Sequence, residues 1–377
     1  MTRQSSLDIL AALVGFDTTS HKSNLPCIDW IEAYLARHGV AGERFPDATG
    51  QKASLFATIG PREREGWILS GHTDVVPVTG QSWTSDPFTL RVADGRAYGR
   101  GTTDMKGFLA CCLAAVPQMV AARLTAPIHL AFSYDEEIGC VGVVPMIEAL
   151  AARGFRAQGC FVGEPTLNEV IIGHKGKQAL RATVRGFSCH SSRAPDGVNA
   201  VEYAARLIAF IHGVGARLAR EGARDEAYDI PYSTFQSAVI RGGEAVNIIP
   251  NVCTFDFETR VIAADDREAI VGEARRYAAE VLEPEMRRVA PETGIEFAII
   301  SDASTLETSP EAPVAAMAKR LAGRNAHAKV AFGTEACHFA AIGGVDSVVV
   351  GPGSIDQAHK PDEFIALAEL ARCDAFV

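Results

Sequence analysis

Apolar residues follow two different periods along this chain. In the first half of the chain and again near its end, stretches with apolar residues every three or four positions alternate with short, continuously apolar runs. The first pattern predicts helices, at Leu7–Val14, Cys27–Arg37, Lys106–Arg123, Gly142–Arg153 and Pro313–Leu321. The second predicts buried strands, at Ala53–Ile59, Trp67–Ser70, Ile128–Tyr134, Cys160–Val162 and Ser347–Val350. This alternation predicts an α/β fold with a mostly parallel sheet flanked by helices on both faces.

The pattern changes between residues 178 and 301, where the predicted order is β-α-β-β-α-β. Its elements are Gln178–Arg185, Asn199–Val214, Thr234–Arg241, Cys253–Ile262, Asp266–Val289 and Ile295–Ile300. The polar stretch Arg217–Tyr228 is expected to be an irregular surface excursion. This order is typical of a ferredoxin-like α+β module. We therefore predict one catalytic domain of residues 1–177 and 302–377, interrupted by a smaller inserted domain of residues 178–301.

Composition and charge exclude or disfavour several classes of protein. The chain has 377 residues, 47% of them hydrophobic and 22% charged, which excludes a disordered protein. The formal net charge of −10 argues against nucleic acid or an anionic membrane as a partner. The nine cysteines are scattered and none forms a C-x-x-C pair. They therefore predict reduced thiols in a cytoplasmic protein.

Acidic residues and histidines follow several of the predicted strands directly. His72 and Asp74 come just after Ser70, Asp104 precedes a predicted helix in a glycine-rich segment, and Asp135–Glu137 follows a third strand. Ligands gather at the carboxyl ends of strands in open α/β sheets, so these side chains are candidates for a binding site. Taken singly, each has a plainer explanation: a buried histidine bonded to a carboxylate, a helix N-cap, or a solvated acidic turn.

Two further positions, Glu164 and His359, extend these separate signals to a candidate metal site. Glu164 follows the apolar strand Cys160–Val162, and Pro165 stops that strand because it lacks a backbone donor. His359 lies in a late loop rich in glycine and proline. Two histidines and several carboxylates without a thiolate suit zinc, cobalt or manganese. A shared carboxylate with one histidine and one glutamate on each side describes a two-metal hydrolase site.

As an ordered set, these motifs resemble the M20 family of metallopeptidases and deacylases over nearly the whole chain. They are S-G-H-T-D at 70–74, G-R-G-T-T-D-M-K-G at 99–107, E-E at 136–137, G-E-P at 163–165 and the late His359. The segments G-T-E-A at 333–336 and Gly351–Glu363 are most similar to the deacylases of the family that act on N2-acetyl-L-ornithine. The resemblance implies a zinc-exopeptidase-like catalytic domain with an inserted dimerisation domain.

The resemblance also implies roles for the residues of these motifs. Two divalent cations, Zn²⁺ or alternatively Co²⁺, would be bridged by Asp104. The implied metal ligands are His72, Asp104, Glu137, Glu164 and His359. Glu136 would be the general base and acid of the reaction. Asp74 would orient His72 through the other imidazole nitrogen.

Residues of the inserted domain would complete the site. In the family, this domain mediates dimerisation and carries a histidine that reaches the active site of the partner subunit, and His190 occupies that place. Arg260 matches the arginine that receives the substrate carboxylate, and Asn247 matches a substrate-side position near it. The plainer alternatives are a polar loop histidine, a strand-surface ion pair and a turn residue.

The segment G-T-E-A supplies the remaining candidates. The predicted substrate contacts there are Gly333, Thr334 and Glu335. Glu335 is expected to bind the side-chain ammonium of ornithine, or alternatively to brace the loop that contains it.

Together these residues imply a metal-dependent amidohydrolase that releases acetate and L-ornithine from N2-acetyl-L-ornithine in arginine biosynthesis. Acetylcitrulline and succinyl-diaminopimelate are alternative substrates, and a dipeptide is a weaker one. A non-catalytic metal- or peptide-binding protein would be expected to lack the base or a ligand, whereas this chain has all of them. The expected partners are a small N-acyl amino acid and a second copy of the chain, with neither nucleic acid nor membrane.

Overall fold

The computed structural model describes residues 4–377, so residues 1–3 of the predicted catalytic domain lie outside the described residues. Two compact units divide the chain. The first comprises the chain up to Gly173, Leu306–Lys329 and Thr334–Val377, and the second comprises His174–Thr305 and Val330–Gly333. The second unit therefore interrupts the first in sequence, and it includes a short return at Val330–Gly333 that the pattern did not predict.

The first unit begins with helices and strands in alternation. Its elements are α1 (Ser6–Val14), α2 (Leu25–Arg37), β1 (Gly42–Pro46), β2 (Ala53–Ile59), β3 (Gly66–His72), β4 (Arg91–Ala93), β5 (Arg96–Tyr98), α3 (Lys106–Ala121), β6 (Ile128–Ser133), α4 (Val144–Ala152), β7 (Ala157–Val162) and β8 (Ile171–His174). The four helices and the strands β2, β3, β6 and β7 confirm the predicted elements, within a few residues at each end.

The next segment forms the second unit. Its elements are β9 (Gly176–Arg185), α5 (Ala200–Glu221), β10 (Thr234–Gly242), β11 (Val252–Val261), α6 (Arg267–Tyr277), a π-helical turn (Ala278–Leu282), α7 (Glu283–Arg287) and β12 (Gly294–Ala303). The chain then returns through β13 (Leu306–Glu307), α8 (Pro313–Ala322), β14 (Ala328–Val330), α9 (Ala336–Ala341), β15 (Ser347–Val349), β16 (Phe364–Ala366) and α10 (Leu367–Phe376).

A nine-stranded sheet forms the middle of the first unit. Its order is β1-β2-β6-β3-β7-β15-β8-β13, with β14 paired to β8. The pairs β6–β3, β3–β7 and β7–β15 are parallel, whereas β1–β2, β2–β6 and β15–β8 are antiparallel. The α/β class is thus confirmed, but the sheet is mixed, with a parallel centre. β1 was not predicted because its sequence, GERFP, is short, mostly polar and only partly buried.

Helix α3 packs in the centre of the first unit's core. Eleven of its sixteen residues are buried, from Lys106 to Met119, so its surface is covered nearly all round. A Cβ atom at Gly163 would lie 1.9 Å from the ring of Phe108. The glycine of the G-E-P motif therefore allows the strand end before Glu164 to approach this helix closely.

The second unit is a four-stranded antiparallel sheet in the order β10-β11-β9-β12, which confirms the ferredoxin-like prediction. Residues of β9 and β11 are buried alternately, so one face of the sheet packs against α5 and α6. Phe255 and Phe257 are 1% exposed, and burying each such side chain is worth roughly 1.5–3 kcal/mol.

One prediction within this unit was wrong and another is refined. The helix expected at Asp266–Val289 runs from Arg267 to Arg287, and it contains a π-helical turn before Pro284, whose missing N–H removes one helical hydrogen bond. The stretch Arg217–Tyr228 is not irregular throughout, because α5 continues to Glu221. Buried Leu218 extends the apolar face of that helix beyond Val214.

No helix among residues 4–377 combines the length and the apolar character needed to cross a bilayer.

Candidate metal centre

The parallel centre of the first sheet brings three of the predicted segments to one edge. His72 ends β3, the acidic run begins two residues after β6, and Glu164 lies two residues after β7. β6, β3 and β7 are adjacent and parallel, so their carboxyl ends meet there. Asp104 and His359 reach the same place from loops.

The carboxylate of Asp104 lies between two histidines. Its Oδ1 atom is 3.1 Å from Nε2 of His72, and its Oδ2 atom is 3.2 Å from Nε2 of His359. Nε2 of His359 is also 3.0 Å from Oε2 of Glu137, and Nε2 of His72 is 3.7 Å from Oε1 of Glu164. One carboxylate therefore has a histidine and a glutamate on each side, which is the arrangement a bridging metal ligand requires.

Burial and mutual charge perturb this cluster strongly. Burial acts to raise the pKa of Asp104, but hydrogen bonds from His359 and His72 hold it well below its usual range. The carboxylates of Asp104 and Glu137 raise the pKa of His359 to about 10. Burial and Asp104 raise the pKa of Glu164 well above its usual value. In the protein alone, protons on the histidines balance part of the negative charge of the cluster.

The acidic pair after β6 differs in its contacts. Burial, with a contribution from Glu137, raises the pKa of Glu136 to about 8, and its Oε1 accepts a hydrogen bond from the Cys140 thiol at 3.1 Å. Burial and Asp104 raise the pKa of Glu137 to about 7. Glu137 contacts His359, whereas Glu136 makes no hydrogen bond to either histidine among the contacts of the described residues.

The donor set suits divalent cations. Potential ligand atoms of His72, Asp104 and Glu137 lie within 4.8 Å of one another, as do those of His72, Glu136 and Glu164. Oε1 of Glu137 is buried and has no hydrogen-bond partner within residues 4–377. A cation would satisfy this oxygen and would replace the histidine protons with more positive charge. Nitrogen and oxygen donors without thiolate favour zinc, cobalt or manganese.

Asp74 contacts the Nδ1 atom of His72, but the contact differs in detail from the prediction. Nδ1 of His72 is 2.9 Å from the backbone carbonyl of Asp74 and 3.4 Å from its carboxylate, so the carbonyl is the closer partner. The carboxylate accepts hydrogen bonds from Ser20 Oγ at 2.7 Å and from the backbone N–H of Glu136 at 3.2 Å. Asp74 therefore contacts both the His72 ring and the acidic turn.

Two predicted substrate contacts are corrected. Glu335 is 0% exposed, and its carboxylate oxygens accept hydrogen bonds from the hydroxyls of Ser70 at 2.7 Å and Ser133 at 2.5 Å. It therefore has no exposed oxygen for a substrate ammonium and instead bonds to the strands that contain Ser70 and Ser133. Thr334 is also 0% exposed, and its hydroxyl accepts a hydrogen bond from the backbone N–H of Ala336 at the start of α9. Gly333 is partly exposed.

The remaining predicted residues belong to the second unit, where two of them are neighbours. His190 is exposed, and its Nδ1 accepts a hydrogen bond from the backbone N–H of Ser192. Asn247 is also exposed, and its carbonyl accepts a hydrogen bond from the backbone N–H of Ser191 at 3.0 Å. His190 and Ile248 also form a β-bridge.

Arg260 lies at the opposite end of the same sheet. The strand β11 begins at Val252, just after the Asn247 loop, and Arg260 is its penultimate residue. The eight residue steps from Val252 to Arg260 span about 26 Å at ~3.3 Å per step. Within one chain, Asn247 and Arg260 therefore belong to opposite ends of β11, and their expected closeness at a substrate stays a prediction. The guanidinium of Arg260 instead lies 3.4 Å from the carbonyl of Ala331, two residues before Gly333.

Sequence reasoning missed one ion pair that supports the acidic turn. Nζ of Lys52 lies 2.6 and 2.7 Å from the two carboxylate oxygens of Asp135, and both side chains are largely buried. Asp135 has a left-handed backbone with φ of 54°, unusual for a non-glycine residue. Lys52 precedes the strand β2 and carried no motif signal, so only the three-dimensional structure identifies it.

Comparison with known proteins identifies one protein family and relatives that match nearly the whole chain. The pattern of peptidase family M20/M25/M40 matches residues 68–377. The chain is 34% identical over 371 residues to an acetylornithine deacetylase of Myxococcus xanthus, covering 97% of this chain and 94% of that protein. It is 31% identical to an acetylornithine deacetylase of Pasteurella multocida, covering 96% and 93%.

Solved structures share the fold at lower sequence identity. A tripeptidase of Staphylococcus aureus superposes with a TM-score of 0.77 at 19% identity, covering 100% of this chain and 96% of that chain. A dinuclear metal-binding peptidase of the M20 family from Bacillus subtilis gives a TM-score of 0.69 at 14% identity, covering 98% and 95%. With the match over residues 68–377 and the near-complete coverage of these relatives, the chain belongs to peptidase family M20/M25/M40 and is a metal-dependent hydrolase of amide bonds.

Proposed function

We propose that this protein is a two-metal deacetylase that converts N2-acetyl-L-ornithine into L-ornithine and acetate, in arginine biosynthesis. The observation that carries the chemistry is the position of Asp104, with one carboxylate oxygen toward His72 and the other toward His359. The substrate assignment is supported by relatives of 31–34% identity that are acetylornithine deacetylases.

In this proposal, each metal position has one histidine and one glutamate of its own and shares Asp104. The proposed ligands are His72 and Glu164 on one side, Glu137 and His359 on the other, and Asp104 between them. When bound, two divalent cations supply Lewis-acid activation of water and of the amide carbonyl. Zn²⁺ is the proposed metal and Co²⁺ a competent substitute, since both accept this donor set.

Glu136 is the proposed general base and acid. It lies beside the proposed ligand Glu137. Its Oε1 accepts a hydrogen bond from Cys140, and its backbone N–H donates to Asp74. Because Glu136 is not one of the proposed metal ligands, its carboxylate is available for proton transfer. It would take the proton of the attacking water and then deliver it to the nitrogen of the leaving amine. Bound cations would lower its pKa from the value near 8, toward the neutral range in which a base works best.

Arg260 is the proposed receptor of the substrate carboxylate. Its side chain is partly exposed at the end of β11, and Nε lies 3.3 Å from Glu258. The planar guanidinium fork matches a carboxylate in two parallel hydrogen bonds. It contacts Ala331, two residues before Gly333, and Gly333 is the one residue of the G-T-E-A segment that remains a candidate substrate contact.

His190 and Asn247 are proposed to act on the substrate of a second subunit. Val252, where β11 begins, lies roughly 26 Å from Arg260, and both residues belong to segments beyond that end of the strand, whereas an N-acetyl amino acid is roughly 10 Å long. One substrate therefore cannot contact Arg260 and His190 of the same chain. If both residues serve one substrate, His190 has to come from a partner subunit, where it would donate to the developing oxyanion.

Self-association through the second unit has further support. Its edge strands β10 and β12 expose apolar side chains, including Ile240 at 53% and Ile299 at 56%. Unpaired strand edges with apolar side chains favour pairing with another chain. We propose a homodimer through this unit. The nine free cysteines support a reducing compartment, so the cytoplasm is the proposed location.

The test is a panel of N-acyl amino acids assayed with zinc- and cobalt-loaded protein. We expect the highest kcat/KM for N2-acetyl-L-ornithine, and higher values for acetylcitrulline or succinyl-diaminopimelate would overturn the substrate assignment. Glu136→Ala should keep both metals and lose at least about 10²-fold in kcat. Hydrolysis that survives this substitution with metal bound would contradict the mechanism.

A further inference from the structure

One buried carboxylate joins the two loops that carry Asp104 and His359. Glu363 is 1% exposed, and both of its oxygens face the loop before α3. Its Oε1 accepts hydrogen bonds from the backbone N–H groups of Thr103 at 2.9 Å and Asp104 at 3.1 Å. Its Oε2 accepts one from Gly101 at 3.1 Å. The backbone of the proposed bridging ligand is thus bound by a side chain from the His359 loop.

Arg100 extends this connection to His359 itself. Nη1 of Arg100 donates to Oε2 of Glu363 at 2.6 Å, and both side chains are 1% exposed. Nη2 of Arg100 donates to Oε1 of Gln81 at 2.6 Å, and Nε2 of Gln81 donates to the carbonyl of His359 at 2.9 Å. An unbroken series of hydrogen bonds therefore runs from the backbone of Asp104 to the backbone of His359.

The backbone of both loops requires such support. His359 has φ of 62°, a left-handed conformation that costs energy for a residue with a side chain. Gly101 has φ of 83°, and a Cβ atom there would lie 2.8 Å from Val75. A buried ion pair is on its own weak evidence for stability, because desolvation offsets much of the attraction. Here, Glu363 and Arg100 also connect the two loops that place the carboxylate of Asp104 3.2 Å from Nε2 of His359.

We propose that Glu363 and Arg100 are positioning residues that fix the spacing of Asp104 and His359, and thereby the affinity of the metal position formed by Asp104, Glu137 and His359. Gln81 completes the connection on the His359 side. The inference rests on the proposed two-metal function. The position formed by His72 and Glu164 shares Asp104 but has no ligand from the His359 loop, so it is expected to weaken less when the network is cut.

The test uses purified apoprotein and Co²⁺, with binding followed by calorimetry and by visible absorption of the bound ion. Glu363→Gln preserves the shape of the side chain but removes its charge and turns an N–H₂ group toward backbone donors. We expect one Co²⁺ to bind as in the wild type and the other to bind 10- to 100-fold more weakly, roughly the effect known for groups that orient metal ligands. The absorption of the weaker ion should change, and kcat should fall about tenfold or more with KM within about twofold.

A milder variant and a matched control separate positioning from general destabilisation. Gln81→Ala leaves the buried pair intact and should weaken the same Co²⁺, by up to roughly tenfold. Glu369→Gln removes another largely buried carboxylate, one bonded to Asn168 and Arg372 in the same unit, and should bind both ions as the wild type does.

Three outcomes would overturn the inference. They are a folded Glu363→Gln protein with wild-type binding of both ions, equal weakening in Glu369→Gln, and, where Glu363→Gln does not fold, unchanged binding by Gln81→Ala. A wild-type protein that binds fewer than two ions would instead contradict the proposed function itself.

Discussion

Glu335 accepts a hydrogen bond of 2.7 Å from Ser70, across 265 residues of sequence. Its other oxygen accepts a hydrogen bond from Ser133. Ser70 and Ser133 lie in β3 and β6, the neighbouring strands that lead to His72 and to the acidic turn. A carboxylate at the start of α9 therefore ties together two strands that carry different parts of the site.

This contact predicts the behaviour of Glu335→Gln. The amide can still bond to both serine hydroxyls, because hydroxyls rotate, so the free energy of unfolding should fall by only about 1 kcal/mol. The preference for N2-acetyl-L-ornithine over N-acetylmethionine should not change, since the side chain is not exposed to substrate. Urea unfolding and kcat/KM for the two substrates measure these quantities. A tenfold loss of preference would restore Glu335 as a specificity residue.

A second prediction concerns pH and a histidine at the opposite end of β6 from the acidic turn. His129 is 4% exposed at the start of β6, between Phe56 and Phe155, and burial lowers its pKa to about 4. The unfolded chain binds this proton near the ordinary pKa of 6.5, so it binds more protons than the folded chain below that pH. Stability should therefore fall as the pH decreases from about 6.5 toward about 4.

The size of this contribution is measurable. Between about pH 7.5 and about pH 5, His129 should account for about 2 kcal/mol of the lost unfolding free energy. His129→Phe removes the titrating group and should reduce the pH dependence of urea unfolding by that amount. His212→Phe, at an exposed position of α5, is the matched control for replacing a histidine by phenylalanine. Equal pH dependence of the His129→Phe and wild-type proteins would disprove the assignment.

Metal removal should lower stability as well as activity. Chelation leaves the crowded carboxylates of the cluster without a cation, whereas binding adds about 2.7 kcal/mol per site at a free metal concentration about 100-fold above Kd. We expect the melting temperature to fall on chelation and to recover with two equivalents of Zn²⁺ or Co²⁺. Asp104→Ala should abolish the recovery, because both positions share that ligand. Full recovery in this variant would exclude Asp104 as a bridge.

Mixing two inactive variants tests the proposed exchange of residues between subunits. His190→Ala and Arg260→Ala should each lose most activity as homodimers. In a mixed dimer, one site has an intact Arg260 and receives an intact His190 from the partner, so an equimolar mixture should recover roughly a quarter of wild-type activity. Refolding the variants together provides the measurement. No recovery, with mixed dimers demonstrated, would place both residues in the same chain's site.

Much of this architecture could be predicted from periodicity. The strands that lead to His72, Asp135 and Glu164 are short, continuous apolar runs, so their type and the convergence of their carboxyl ends followed from sequence. The ferredoxin-like unit was predictable because β9 and β11 alternate buried and exposed residues. The π-helical turn within the long helix was not predicted, although Pro284 was a visible signal for an irregularity there.

Contacts that depend on distant pairing could not be predicted. Lys52 meets Asp135, and Glu363 meets the Asp104 loop, only because the fold brings separate loops together. The family resemblance implied that Asn247 and Arg260 serve one substrate, but it did not show that β11 separates them within one chain. Glu335 was assigned to substrate because its motif is distinctive, but a distinctive residue can equally be one that the interior requires.

The distribution of thiols gives an experimental advantage. All nine cysteines are free, and eight of them are buried. Cys189 is partly exposed and immediately precedes His190. A maleimide spin label should therefore attach at one position per chain without the removal of any other cysteine. In a dimer, the two labels would report the separation of the His190 loops directly, as a distance measured by pulsed electron resonance.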